Sequence, residues 1–294
     1  MTWSPAPRIA SPFHEPVAVF DLETVPDVDL GRRLWGLTGD DRTVAEKMLI
    51  RRKGETGGSD FLKPLFHKIV AIAMTWRHPD GSFKVRALGA AEDDEAALIT
   101  KFLHAMEKRP LLVSWNGSGF DLPVLHHRAM LNRIPGPTFF DTTSQHAKFD
   151  NYWGRYQRRH TDLMDVLANF QARSGAKLDQ VAVALGYPGK FGLDGSKVLE
   201  KWFGGQRADV RDYCETDVLN TWLVWLDWAL AQGILGEDEH ATELKSLQAY
   251  LEEEGLLRPH LQGFLHAWLH PEEGKSKSNP STGKRRKVSF PANI

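Results

Sequence analysis

Short, wholly apolar runs alternate along the chain with longer segments in which apolar residues recur every three or four positions. The run Val17-Ala18-Val19-Phe20 ends in acid and suits a strand buried on both faces. Residues 68–76 and 82–88 are strand-like and flank Pro79-Asp80-Gly81, which predicts a hairpin. Over 92–108, Ala96, Ile99, Phe102, Leu103 and Met106 fall at helical spacing. Residues 111–115 form another strand-like run, stopped by Asn116-Gly117, and the pattern turns helical from 121 to about 132. Shorter helical patterns follow at 162–173 and 177–185. The last strong helix covers about 207–232, with Cys214, Val218, Thr221, Trp222, Trp225 and Trp228 along one stripe. Strand, antiparallel hairpin, helix, strand, then helices predict an α/β fold, a mixed sheet with an antiparallel meander at its front and a parallel strand behind.

Around this frame, residues 1–16 hold four prolines and read as a lead-in arm. Residues 17–232 read as one domain. Within it, 27–66 is polar and irregular, with a helix at 40–52 and a glycine-rich break at 54–58, and looks like an insertion lying over the surface. Residues 233–270 read as a helical extension with two helices from 238, and 271–294 as a disordered basic tail rich in Lys, Ser, Pro and Gly.

Composition narrows the class without naming a function. The 294 residues carry 37 Lys+Arg against 38 Asp+Glu, a formal net charge of -1, with 41% hydrophobic residues. These are ordinary values for a globular chain, and they exclude a collagen-like or wholly disordered one. No apolar run approaches the roughly 20 residues of a transmembrane helix. The N-terminus lacks a basic region followed by an apolar stretch and does not read as a signal peptide. A single cysteine, Cys214, cannot form an internal disulfide, so a reducing cytoplasm is the default compartment.

Three segments hold acids where structure alone would not want them. Asp21 and Glu23 alternate at the end of a buried strand and therefore share a face. Asp121 opens a helix, with Pro123 in its first turn; a plain N-cap is the simpler reading of this acid alone. Tyr213 and Asp217, four apart in the last long helix, stack on one face beside the tryptophan stripe. If the three segments converge, four carboxylates meet. Two like charges about 4 Å apart repel by roughly 4 kcal/mol at an effective dielectric near 20. Divalent cations would neutralise such a cluster, and oxygen ligands without His or Cys favour Mg²⁺ or Mn²⁺ over Zn²⁺. Carboxylates around two cations about 3.5–4 Å apart suit in-line displacement at phosphorus.

The order Asp21-x-Glu23, then Asn116-x-x-x-Phe120-Asp121-x-Pro123, then Tyr213-Cys214-x-x-Asp217 resembles the 3′–5′ exonuclease domain of family B DNA polymerases. More narrowly, it is similar to the stand-alone predicted exonucleases related to that domain, in the DEDDy subgroup of the ribonuclease H-like nucleases. The resemblance runs from about Val17 to Trp228, roughly three quarters of the chain, and takes in 160–165, 178–181 and Asp209-Val210. It implies a ribonuclease H-like sheet flanked by helices, and two metal ions, Mg²⁺ or Mn²⁺, held by Asp21, Glu23, Asp121 and Asp217. Tyr213 would then position the attacking water, and Thr24, Asn116 and Phe120 would contact the 3′-terminal nucleotides of single-stranded DNA or RNA. The kinship with proofreading favours DNA, although no residue type here reports the 2′-OH. Asp162 and Asp165 are further acids at matched positions, which helix polarity or hydrogen bonding also explains. No polymerase palm follows in this sequence, so DNA synthesis is not expected.

Residues 148–160 mix basic side chains with Tyr152, Trp153 and Tyr156. Bases stack on aromatic rings while arginine follows phosphates, so this loop, with Arg155 and Arg158, is expected to border the strand-entry groove; the plainer reading is a solvated loop with its aromatics packed on the body. The run 284–287 resembles a nuclear localisation signal, but a basic arm adding unspecific attraction is the simpler account. Two other readings stay open. One is a nucleic-acid binding module of the same fold without catalysis. The other is a phosphatase of the haloacid dehalogenase-like type, whose Asp-x-Asp motif Asp21-x-Glu23 partly matches, leaving the other two acidic segments unexplained.

Overall fold

An uninterrupted apolar run, 17–20, opens the central strand, β1 (Val17–Pro26). The structure, a computed structural model, describes residues 11–171, 174–190 and 195–271; the first ten residues and the tail beyond 271 lie outside the described residues. After β1 come α1 (Val28–Trp35) and α2 (Asp41–Thr56), then β2 (His67–Arg77), β3 (Phe83–Ala87), α3 (Glu95–Met106), β4 (Leu111–Ser114) and α4 (Asp121–Asn132). They are followed by α5 (Pro137–Phe140), β5 (His160–Asp162), α6 (Leu163–Leu167), α7 (Leu178–Ala184), α8 (Val198–Phe203), α9 (Arg207–Ala231), α10 (Glu237–Gly255) and α11 (Pro259–Leu269).

The strands form one mixed sheet in the order β3-β2-β1-β4-β5. β2 is antiparallel to β1 and β3, while β4 is parallel to β1 and β5. This is the α/β arrangement expected, an antiparallel meander joined to parallel strands with helices on both faces. β1 pairs with β4 only from Val17 to Val19. Its later residues therefore run past the end of β4 with that edge open.

Alternation along β1 sorts its side chains. Ala18, Phe20 and Leu22 face a core shared with α3 and α4, through Phe102 and Leu125 among others. Val17, Val19 and Val25 face the opposite core, built on Val218, Trp222 and Leu226 of α9. A bulge in β2 shifts the register between Glu23↔Ala71 and Thr24↔Ile69.

Two local readings change. The stripe expected on α9 is too narrow: Leu219, Leu223 and Val224 are buried as well, because α10 and α11 pack against the side of α9 that faces away from the sheet. α2 runs through Gly54 and stops at Gly57, whose φ of 72° supplies the left-handed cap, instead of breaking at 54. With α1, it encloses a small satellite core of Val44, Met48 and Leu62. Among the described residues no helix is long and apolar enough to cross a membrane.

Candidate active site

Asp21 and Glu23 lie where β1 outruns β4, on the face covered by α9. The next acid arrives because β4 ends at Ser114 and the chain turns back through 115–120 into α4. That turn is held from below. Asp162, at the end of β5, accepts the Asn116 amide at 2.8 Å and the Ser118 amide at 2.9 Å. Asn116 takes a left-handed φ of 62°. Gly117 passes so close to the strand that a Cβ there would stand 2.2 Å from Ser114 Oγ, which explains why only glycine fits.

α4 consequently starts without a side-chain cap. The carboxylate of Asp121, which as an N-cap would turn to its own helix, instead reaches across to β1 and accepts the Leu22 amide at 3.2 Å. The plain capping reading of Asp121 is thereby set aside. From the other side, α9 brings Tyr213, Cys214 and Asp217. Cys214 Sγ lies 3.4 Å from the Asp21 carbonyl and 3.6 Å from Asp21 Oδ2. Donor atoms of Asp21, Glu23 and Cys214 lie within 4.8 Å of one another. Asp21, Asp121, Asp217, Tyr213, Asn116 and Phe120 line a cleft of about 380 Å³.

The electrostatics record the same convergence. Burial pushes the Asp121 carboxyl up to about 7, against the lowering effect of its amide bonds. Burial, then the charges of Asp121 and Asp217, hold Asp21 well above the usual carboxylate range. Glu23 is raised by burial and by Asp21, Asp217 and Asp121. Burial and the nearby carboxylates, Asp217 first, push the Tyr213 phenol upward, so its hydroxyl keeps its proton. Acids that repel one another inside a cleft form a hard, anionic donor set that suits divalent cations.

The second acidic cluster among the described residues differs in kind. Asp212, Glu215 and His260 come together on α9 and α11, but Arg258 pairs with Glu215, and Glu215 also accepts the Ala87 amide at 2.6 Å. A cation of the chain already fills it, and it anchors α11 to α9 and β3.

The remaining expected residues are placed unevenly. Phe120 is half-buried at the cleft, its ring 4.9 Å from that of His67. Thr24 is half-buried, and its hydroxyl is engaged by His67 Nδ1 at 2.8 Å. Arg155 and Arg158 are not among the residues that line the carboxylate cleft. Arg155 is held by both oxygens of Asp165 at 2.7 Å, and Arg158 pairs with Glu15 at 2.8 Å. Both arginines line a separate, mainly apolar cavity of about 390 Å³, on the far side of the Asp162 support. Tyr152 and Trp153 of the same loop are tied to the body through Pro110 and Phe139 carbonyls. Sequence reasoning missed Phe61, whose ring lies 5.1 Å from Phe120, because a lone phenylalanine in a polar segment carries no periodic signal. For Asp162, hydrogen bonding, one of its two plain explanations, is what the structure shows, its partners being the Asn116 and Ser118 amides.

A family described as "Predicted 3'-5' exonuclease related to the exonuclease domain of PolB" matches residues 59–268, a span that contains Asp121, Tyr213 and Asp217 and begins after Asp21 and Glu23. Among solved structures, the chain is similar to the family B DNA polymerase from the hyperthermophilic archaeon Pyrobaculum calidifontis, with 19% identity and a TM-score of 0.45. That similarity covers 88% of this chain and 30% of the polymerase. A search of curated proteins gave no match.

Proposed function

Because the chain belongs to the family of predicted 3′–5′ exonucleases related to the exonuclease domain of PolB, we propose that it is a metal-dependent enzyme that removes nucleotides from the 3′ end of single-stranded nucleic acid, with DNA as the favoured substrate. Asp21, Glu23, Asp121 and Asp217 would hold two divalent cations, Mg²⁺ or Mn²⁺. Bound there, the cations would supply a nucleophilic hydroxide and stabilise charge on the departing 3′ oxygen, releasing nucleoside 5′-monophosphates.

The chain's own groups do the positioning. The Leu22 amide fixes the Asp121 carboxylate toward β1, where it would hold a cation together with Asp21. The Tyr213 hydroxyl, kept neutral by burial and by the neighbouring carboxylates, can donate to or orient the attacking water beside Asp217. Asn116, on the turn supported by Asp162, lines the cleft beside Phe120, where both can meet the terminal nucleotide.

The observation that carries this reading is the convergence of four carboxylates from three separated segments, Glu23 and Asp121 buried and Asp21 and Asp217 half-buried, close enough for their charges to raise the carboxyls of Asp21 and Glu23. A phosphatase built on Asp21 and Glu23 alone would leave Asp121 and Asp217 without a task. The test incubates 5′-labelled single-stranded DNA and RNA of one sequence with Mg²⁺, Mn²⁺ or EDTA, beside an Asp21→Ala control. A metal-dependent ladder shrinking from the 3′ end and absent in the control is expected. Intact oligomers under every metal, with binding still measurable, would convert the reading to a non-catalytic binding module.

A further inference from the structure

We propose that Phe61, from the segment between β1 and β2, extends the cleft with an aromatic platform on which an upstream base of the single-stranded 3′ end stacks. The inference rests on the exonuclease reading above and identifies a residue that would select the strand.

Phe61 follows α2 and is 56% exposed. It belongs neither to the satellite core around Met48 nor to the core beneath the sheet. An isolated exposed phenylalanine would mean little. This one is not isolated: its ring centroid lies 5.1 Å from Phe120 and 5.4 Å from His67, and Phe120 and His67 lie 4.9 Å apart. Phe120 immediately precedes Asp121 and lines the carboxylate cleft. The apolar surface therefore continues outward from the carboxylates without a break.

The platform is fixed from behind. Arg52 Nε donates to the Phe61 carbonyl at 3.0 Å, and the Phe61 amide donates to Ser59 Oγ at 3.3 Å. His67 is held between the Thr24 hydroxyl at 2.8 Å and the Leu62 carbonyl at 3.2 Å. Rings with anchored backbones present a stacking face at small entropic cost. Stacking tolerates any base, because every base has a π-face, but in a duplex the face of an upstream base is covered by its neighbours in the stack and is not available to the ring. Phe61 would thus favour single strands over paired ends without favouring a sequence.

The test compares wild type, Phe61→Ala and Phe61→Trp. Steady-state cleavage of a single-stranded pentanucleotide is set beside hydrolysis of thymidine 5′-(p-nitrophenyl) phosphate, which offers one base at the terminal position and none upstream. Phe61→Ala is expected to raise KM for the pentanucleotide roughly five- to hundred-fold, to leave kcat nearly unchanged, and to leave the nitrophenyl ester unaffected. Phe61→Trp should restore binding. Equal losses on both substrates would make Phe61 merely structural, and an unchanged KM would overturn the platform. If wild type cleaves neither substrate, the exonuclease reading fails by itself. The platform is then read from anisotropy of a labelled pentanucleotide and from the fluorescence of 2-aminopurine placed at its second position. Weaker binding and lost quenching in Phe61→Ala support it, and identical signals refute it.

Discussion

The amide of Leu22 donates to Oδ1 of Asp121 at 3.2 Å and joins two acidic segments 99 positions apart in the chain. The bond exists because β1 pairs with β4 only as far as Val19, which leaves the Leu22 amide without a strand partner. It separates two properties of Asp121. Asparagine can accept the same hydrogen bond but carries no charge. Asp121→Asn is therefore expected to lower the exonuclease rate by several orders of magnitude while raising the metal-free melting temperature, by roughly 2–4 °C for each kcal/mol of repulsion relieved. Differential scanning fluorimetry in EDTA reads the second effect. A melting temperature that drops by several degrees would mean the carboxylate is held for stability.

The same acids give the metal-free protein a pH dependence of defined sign. A carboxyl that binds its proton more tightly in the folded state stabilises the fold at low pH and loses that contribution as pH rises through its folded value. For Asp121 that value is about 7, raised by burial, and Asp21 and Glu23 shift in the same direction. Metal-free protein should thus be less stable at pH 8 than at pH 6. Cations that bind only deprotonated ligands should offset the loss. The rise in melting temperature produced by Mn²⁺ should accordingly be larger at pH 8, and Asp121→Asn should flatten this trend. Equal shifts at both pH values would contradict it.

Asp162 shapes the site without entering it. Its carboxylate holds the Asn116 and Ser118 amides, and hydrogen bonds to a charged acceptor contribute about 1.5–3 kcal/mol each. Asp162→Ala is expected to reduce stability by about 3–6 kcal/mol and to raise the metal concentration needed for half-maximal rate, because Asn116 and Asp121 leave their places together. Asp162→Asn, which retains one acceptor, should recover part of both. Full activity at unchanged metal demand in Asp162→Ala would show that the turn keeps its shape unaided.

Periodicity made the main elements legible. Uniform apolar runs marked β1, β2 and β4, Pro79-Asp80-Gly81 marked the hairpin, and the apolar spacing of α3, α4 and α9 placed their bounds to within a few residues, though not the full buried surface of α9. The acids were legible for a related reason: charge at the end of a buried strand or inside a buried helix contradicts its surroundings. β5 was not, because three polar residues, His160, Thr161 and Asp162, carry no strand pattern until β4 offers them an edge. The placement of Arg155 was illegible too. Composition signals a basic aromatic loop, but whether its arginines face phosphate or a carboxylate of the same chain depends on Asp165, ten residues on and brought close only by folding.

His160 reports the integrity of the support beneath the site. Its Nε2 lies 2.8 Å from Ser114 Oγ, against which Gly117 packs, so the ring backs the turn that carries Asn116. Burial lowers its pKa to about 4 from an ordinary value near 6.5. A histidine with a depressed folded value contributes full stability above its unfolded pKa and loses it as pH falls from about 6.5 to about 4. The loss amounts to about 3 kcal/mol. The carboxylates in the cleft act oppositely over this range, since their protonation stabilises the fold, so wild type alone would show only a blunted slope. The contribution is isolated by comparison with His160→Gln, which can still hydrogen-bond Ser114 but does not titrate. Between pH 7 and pH 4 the melting temperature of wild type should fall relative to the variant by about 6–12 °C. Parallel curves would mean that His160 is protonated without cost and does not brace the turn.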